Sequence, residues 1–193
     1  MNKQARFGWA RKFGLLQSFL KDAEASQILE FAVALPLLAV FIVGIYDFSG
    51  AFNLRQKLSN AAREGALLGS SQPASDISAL GTPTSVLAIR DEVDSYLQAS
   101  QVNDCGLQNP TPTAAVATWS AIGNCPNSST LTLTIERGYA ITPAGGTTKV
   151  LCTRVSISYP YQWRFNSIIQ TLVPGASYGS VQIATNSVFP NLN

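Results

Sequence analysis

The sequence predicts an α+β protein: a long N-terminal transmembrane helix that extends into a small outer domain with an antiparallel sheet of about three strands. Three observations carry this. Residues 28–45 are apolar or small except for Glu30. Apolar residues at helical spacing continue beyond that run to about residue 69. Two segments, residues 129–141 and 149–161, alternate apolar and polar side chains as half-buried strands do.

The apolar run comes first in the chain. Taken from residue 28 to the aromatic end at Phe48, it forms a helix of roughly 30 Å at about 1.5 Å per residue, the thickness of a bilayer core. Pro36 lies inside it, which membrane helices tolerate better than soluble ones. Residues 1–27 carry Lys3, Arg6, Arg11, Lys12 and Lys21 against Asp22 and Glu24. That excess places the N-terminus in the cytoplasm, although Arg55, Lys57 and Arg63 on the far side weaken the asymmetry. A cleaved secretory signal would have a shorter core and a small-residue cleavage site. Here the run leads instead into Tyr46-Asp47-Phe48.

No proline interrupts the helical spacing until Pro73. The helix is therefore expected from about residue 27 to about residue 69. Its outer half carries Gly50, Ala51, Ser59, Ala61, Ala62, Gly65 and Ala66. Such small residues let another helix approach closely; the alternative is that this half packs on the chain's own domain.

Several chemistries are excluded by composition. Charged residues make up 12% of the 193-residue chain, against 46% hydrophobic. Beyond residue 48 the charges nearly balance, so there is no electrostatic footprint for nucleic acid. The chain has no histidine, which removes Ser-His-Asp and Cys-His catalysis and the commonest metal ligand. Its three cysteines lack the close-paired spacing of zinc sites. No nucleophile motif accompanies Lys149, the one lysine well outside the membrane-proximal helix. No enzymatic activity, cofactor or metal is expected.

The stretch EFAVALPLLAVFIVGIYDFSGAFNLRQKLSNAAREGALLGS resembles the N-terminal signature of TadE-like proteins, pseudopilins of the tight-adherence (Tad) branch of type IV pilus systems. The resemblance covers about 45 residues, from roughly Ala25 to Ser70. It rests on Glu30-Phe31, Leu35-Pro36-Leu37, Asp47-Phe48 and NAAREGA at Asn60–Ala66. It implies a structural minor pilin or pseudopilin, serving pilus assembly and surface adhesion. Prepilin peptidase would cut between Ala25 and Ser26. The new α-amino group would lie about one helical turn from Glu30, and that pairing would set the register of neighbouring subunits. Ala25 departs from the glycine usual before the cut. The implied partners are other pilins, prepilin peptidase, the assembly platform and the membrane. The implied location is the bacterial inner membrane, single-pass, with the C-terminal domain periplasmic or extracellular. The alternative is an uncleaved membrane-anchored binding or scaffold module of the cell envelope.

The organisation that follows is a leader over 1–25, a transmembrane helix over 26–48, its extension over 49–70, and an outer domain over 71–193. In that domain residues 85–100 form a helix with Val86, Ile89, Val93, Tyr96 and Leu97 on one stripe. Thr84 or Ser85 is placed to cap it. Its acidic residues lack the glycine and the alternation of a calcium loop, and read as a solvated face. Residues 101–128 read as loop.

Leu131, Leu133 and Ile135 face one side of the first alternating segment; Leu151, Val155, Ile157 and Tyr159 face one side of the second. Together they form a hairpin centred near residue 143, which sets Ile135 opposite Leu151. A short helix over 165–175 and a strand near 180–189 complete the domain. Cys105 and Cys125 share the loop and are expected to pair, leaving Cys152 free; the alternative is three reduced cysteines. Tyr159, Tyr161 and Trp163 read as core and rim packing.

Overall fold

The computed structural model describes residues 23–78, 81–115, 117–165, 170–171, 175 and 179–192. Two compact units divide the chain: Met1–Asp47 with Phe165–Ser177, and Phe48–Arg164 with Tyr178–Asn193. The first helix, α1 (Ala23–Ser71), contributes to both, and continues through Pro36. In the first unit most side chains of residues 26–46 are exposed. The leader lies almost wholly outside the described residues.

The second unit is built on the other half of α1. A 3₁₀ turn (Ala74–Asp76) leads to α2 (Thr84–Ala99), and a meander of five antiparallel strands follows: β1 (Thr113–Ala115), β2 (Thr118–Asn124), β3 (Thr130–Ile141), β4 (Val150–Tyr161) and β5 (Val181–Pro190). The α+β class holds, but with five strands rather than about three. The two extra strands lie in the stretch expected to be loop. In β2 the inward positions are Trp119, Ala121 and Gly123, two of them poor strand formers, so the alternation is weak in sequence. The expected helix over 165–175 lies largely outside the described residues, with residues 170–171 helical.

The core lies between α1, α2 and one face of the sheet. Val86, Ile89, Val93 and Leu97 of α2 are fully buried, as the stripe requires. They meet Leu58, Ala61, Ala62 and Ala66 of α1 and Leu131, Leu133, Ile135, Val155 and Ile157 of the sheet. Small residues on α1 permit this approach. A Cβ at Gly65 would lie 2.6 Å from Val93 Cγ2, and one at Gly69 would lie 2.6 Å from Thr153 Cγ2 and 2.8 Å from Ile89 Cδ1. Ala61, Ala62, Gly65 and Ala66 are thus used within the chain's own domain, while Ser59 is exposed.

Three local expectations are corrected. Pro83 occupies the N-cap of α2, with no side-chain cap bond. Ser85 instead accepts a hydrogen bond from Arg137. The hairpin is centred further along: Ile135 pairs with Val155, while Leu151 pairs with Ala140. The strands run on to Ile141 and resume at Val150, and a register shift between Glu136 and Tyr139 adds a residue. Leu151 shares the parity of Val155 but lies beyond the core and is exposed.

Arg137 is the feature that sequence alternation hid. It occupies the next inward position after Leu131, Leu133 and Ile135, and it is fully buried. Its Nη1 donates to Asp76 Oδ1 and Ser85 Oγ, both at 2.6 Å. Its Nη2 donates to the carbonyls of Gly69 (3.2 Å) and Gln72 (3.0 Å) at the end of α1. Helix C-terminal carbonyls lack intrahelical partners and carry partial negative charge, so a cation here satisfies both needs. Burial lowers the Arg137 pKa; the Asp76 carboxylate opposes that shift. Asn191 Nδ2 donates to the Arg137 carbonyl, and Leu192 N–H donates to the Ser70 carbonyl. The chain's last described residues thereby join the same helix end.

Replacing Arg137 by Met is expected to cost about 3 kcal/mol, since it removes the partner of the Asp76 carboxylate and the donor to the Gln72 carbonyl. Arg137→Lys should recover little, because one ammonium cannot reproduce the guanidinium fork. Denaturant unfolding of the detergent-solubilised protein measures both.

Candidate functional site

A chemically distinctive surface among the described residues is the first half of α1. Ile28, Phe31, Val33, Phe41 and Ile45 are each more than three-fifths exposed. The helix is long and apolar enough to cross a membrane, and none of its most apolar 18-residue window is buried. Continuous exposed apolar surface of this length is stable only against lipid or other apolar helices.

Ala25 and Ser26 both lie within helical backbone, and the Ser26 side chain is exposed. Glu30 follows Ser26 by four residues, one helical turn and about 6 Å of rise along the axis, and is exposed. An amine at Ser26 would stand on the same face as the Glu30 carboxylate. Glu30 is the only charged side chain from Ser26 to Tyr46. A carboxylate facing hydrocarbon costs roughly 2.5–3.5 kcal/mol at a helix centre, and less near its end.

Asp47 closes the apolar run and behaves differently. It is buried, and its Oδ2 accepts the Phe165 N–H at 3.3 Å. Beside it, Tyr46 meets Phe165 edge-on with ring centroids 5.4 Å apart. Sequence reading placed Asp47 only within a signature. The available signal was a lone carboxylate where the apolar run gives way to polar helix, a position at which burial demands a donor.

Residues 25–67 match the model of a family described as TadE-like protein. No curated protein and no solved structure matches the chain. The matched span starts at Ala25, holds the whole exposed apolar segment, and takes in the buried Ala61, Ala62, Gly65 and Ala66. The NAAREGA part of the signature therefore has a packing explanation: its small residues face α2 and the sheet, while Arg63 is exposed.

Outside that span, the second unit holds a disulfide between Cys105 and Cys125, with Cys152 free and buried. Closing a loop of separation 20 stabilises by about 3 kcal/mol in the chain-entropy model. A carboxyl pair adjoins it. Gln98 Nε2 donates to both Asp94 Oδ2 (2.9 Å) and Asp104 Oδ2 (3.0 Å). Asp94 is fully buried and its Oδ1 faces no donor. Burial first, then the neighbouring Asp104, raises the Asp94 pKa to about 6; Asp91 adds to this and Arg90 opposes it. Burial also acts upward on Asp104, but the Gln98 amide, the Gly106 N–H and the Asp94 proton together hold it below its usual value. The two carboxyls are thus pushed in opposite directions, Asp94 upward and Asp104 downward. Among the described residues no group of three or more metal-ligating side chains assembles.

This pair makes stability depend on pH. Folding raises the Asp94 pKa, so from 3.8 to about 6 the folded chain keeps a proton that the unfolded chain has lost. The stabilisation is full below 3.8 and disappears as pH rises through about 6. Asp94→Asn keeps an acceptor for Gln98 and supplies a permanent donor to Asp104. The variant should melt higher than wild type at pH 8, with the difference shrinking to nothing near pH 4. Thermal melts across that range check it; parallel pH profiles would contradict the assignment.

Proposed function

We propose that this chain is a minor pilin or pseudopilin of a Tad-type pilus and secretion system, with a structural role in pilus assembly and surface adhesion. The observation that carries the reading is a single helix whose apolar, exposed half bears only Glu30 and lies inside the TadE-like span. The protein catalyses nothing in this role. Its apolar half packs first against inner-membrane lipid and then against the same segment of other pilins. Prepilin peptidase cuts between Ala25 and Ser26, and the amine so released pairs with Glu30 of a neighbouring subunit. The pilus assembly platform receives the subunit, and the second unit lies on the periplasmic or extracellular side.

A second reading is an uncleaved, membrane-anchored scaffold module. One observation favours it: Ala25 stands where such precursors usually have glycine, and the 25–26 bond lies within helical backbone. A peptidase must accept alanine and unwind at least the first turn to reach that bond.

The mature N-terminus separates the two. The protein is expressed with and without a cognate prepilin peptidase, and its intact mass and N-terminal sequence are read from the membrane fraction. The pilin reading predicts a start at Ser26 that depends on the peptidase. A start at Met1 under both conditions overturns it in favour of the uncleaved module.

A further inference from the structure

In the second unit, three aromatic rings gather at the first turn of α1 beyond the apolar run. Phe48 meets Trp163 edge-on, with centroids 5.4 Å apart and planes at 71°. Trp163 in turn meets Tyr161 at 5.3 Å and 89°. Tyr161 is buried, and its hydroxyl lies 2.9 Å from where a Cβ on Gly50 would stand. The absence of a side chain at Gly50 lets β4 end directly against the helix. Trp163 follows the last residue of β4 by two positions and is only half-buried; Phe48 and, one turn later, Phe52 are mostly exposed. Phe48 and Trp163, unlike Tyr161, are therefore not core. Edge-to-face pairing holds these two rings in place, yet part of each faces outward.

We propose that Phe48 and Trp163 form an interfacial anchor that seats the end of β4 in the headgroup layer of the bilayer, giving the second unit its own contact with lipid beside the helix. Axial distance supports this occupant. Phe48 stands three residues past Ile45, about 5 Å along the helix. The polar layer on each side of a bilayer core is about 5–7 Å deep, so Phe48 and the ring packed on it fall within it. The residue types agree. Tryptophan and tyrosine collect in this layer because their rings are apolar and their N–H or O–H groups are polar. No charged residue occurs on α1 from Phe48 to Leu54, and the first cation is Arg55, about 15 Å past Ile45. Contact with the membrane surface is continuous with the apolar surface of the same helix. The inference rests on the anchored reading above and adds to it a fixed depth and a second point of attachment.

Depth-dependent quenching tests this. The full chain and Trp163→Phe are reconstituted in vesicles of phosphatidylcholine and phosphatidylglycerol, with lipids brominated near the headgroup or near the chain ends. The difference between the two emission spectra isolates Trp163 from Trp9 and Trp119. Shallow bromines are expected to quench the Trp163 component by about twofold, and deep bromines much less, as suits a ring in the interfacial layer. A Trp163 component unaffected at either depth overturns the proposal.

Carbonate extraction of the same vesicles distinguishes the failures. A protein that washes off overturns the anchored reading and this inference together. A retained protein with unquenched Trp163 overturns the inference alone. If Trp163→Phe does not fold, a nitroxide on Gln162→Cys replaces it. Stronger relaxation by oxygen than by a water-soluble nickel chelate supports the anchor, and the reverse overturns it.

Discussion

The close approach of α1 to α2 and the sheet is the constraint on which the structure depends. Between Leu58 and Gly69 the buried face of the helix carries, after Leu58, nothing larger than a methyl group. Val93, Ile89 and Thr153 occupy the space that larger side chains would take. With the backbones this close, the carbonyls at the end of α1 come within reach of Arg137 on β3. One guanidinium then joins that helix end to the 3₁₀ turn, to the start of α2 and to the sheet. The order of cause is packing first and charge second. The buried arginine is held by its two Nη groups, which meet the Asp76 carboxylate, the Ser85 hydroxyl and the carbonyls of Gly69 and Gln72, while its Nε has no partner.

This division of labour along one helix bears on function. The half that belongs to the second unit spends Ala61, Ala62, Gly65, Ala66 and Gly69 on its own fold. The segment from Ser26 to Tyr46 is left uncovered: its side chains are mostly exposed and apolar, broken by a single carboxylate. The structural role proposed above needs no pocket or catalytic group. It needs a segment equally able to face lipid and to face a copy of itself, and a device that favours one register. Glu30 is the residue with the chemistry for such a device.

Much of this was legible in the sequence, for identifiable reasons. The long helix could be read because length, hydropathy and the absence of proline between Pro36 and Pro73 all agree. The α2 stripe, Leu131, Leu133 and Ile135 of β3, and Val155 and Ile157 of β4 could be read because Val, Ile and Leu fall on the right period. β2 could not, because alanine and glycine fill two of its inward positions. The hairpin register could not, because alternation alone does not reveal the extra residue between Glu136 and Tyr139. Arg137 itself was visible as a charged residue at an inward parity, but its acceptors lie more than 50 residues away in the chain. The Asp94–Asp104 pair was hidden similarly: Asp94 reads as part of a solvated acidic helix until the loop brings Asp104 over it.

Above all, the second half of α1 is a structural member of the sheet unit and not a free arm projecting from the membrane. Native-state hydrogen exchange of the full chain in vesicles tests this most directly. The amides of residues 58–69 should exchange only through the opening that also exposes β3 and β4, with the same free energy and the same response to denaturant. The contradicting result is exchange of residues 58–69 through a cheaper opening while β3 and β4 remain protected. The helix extension would then be independent of the domain, and its small residues would have no part in holding the fold together.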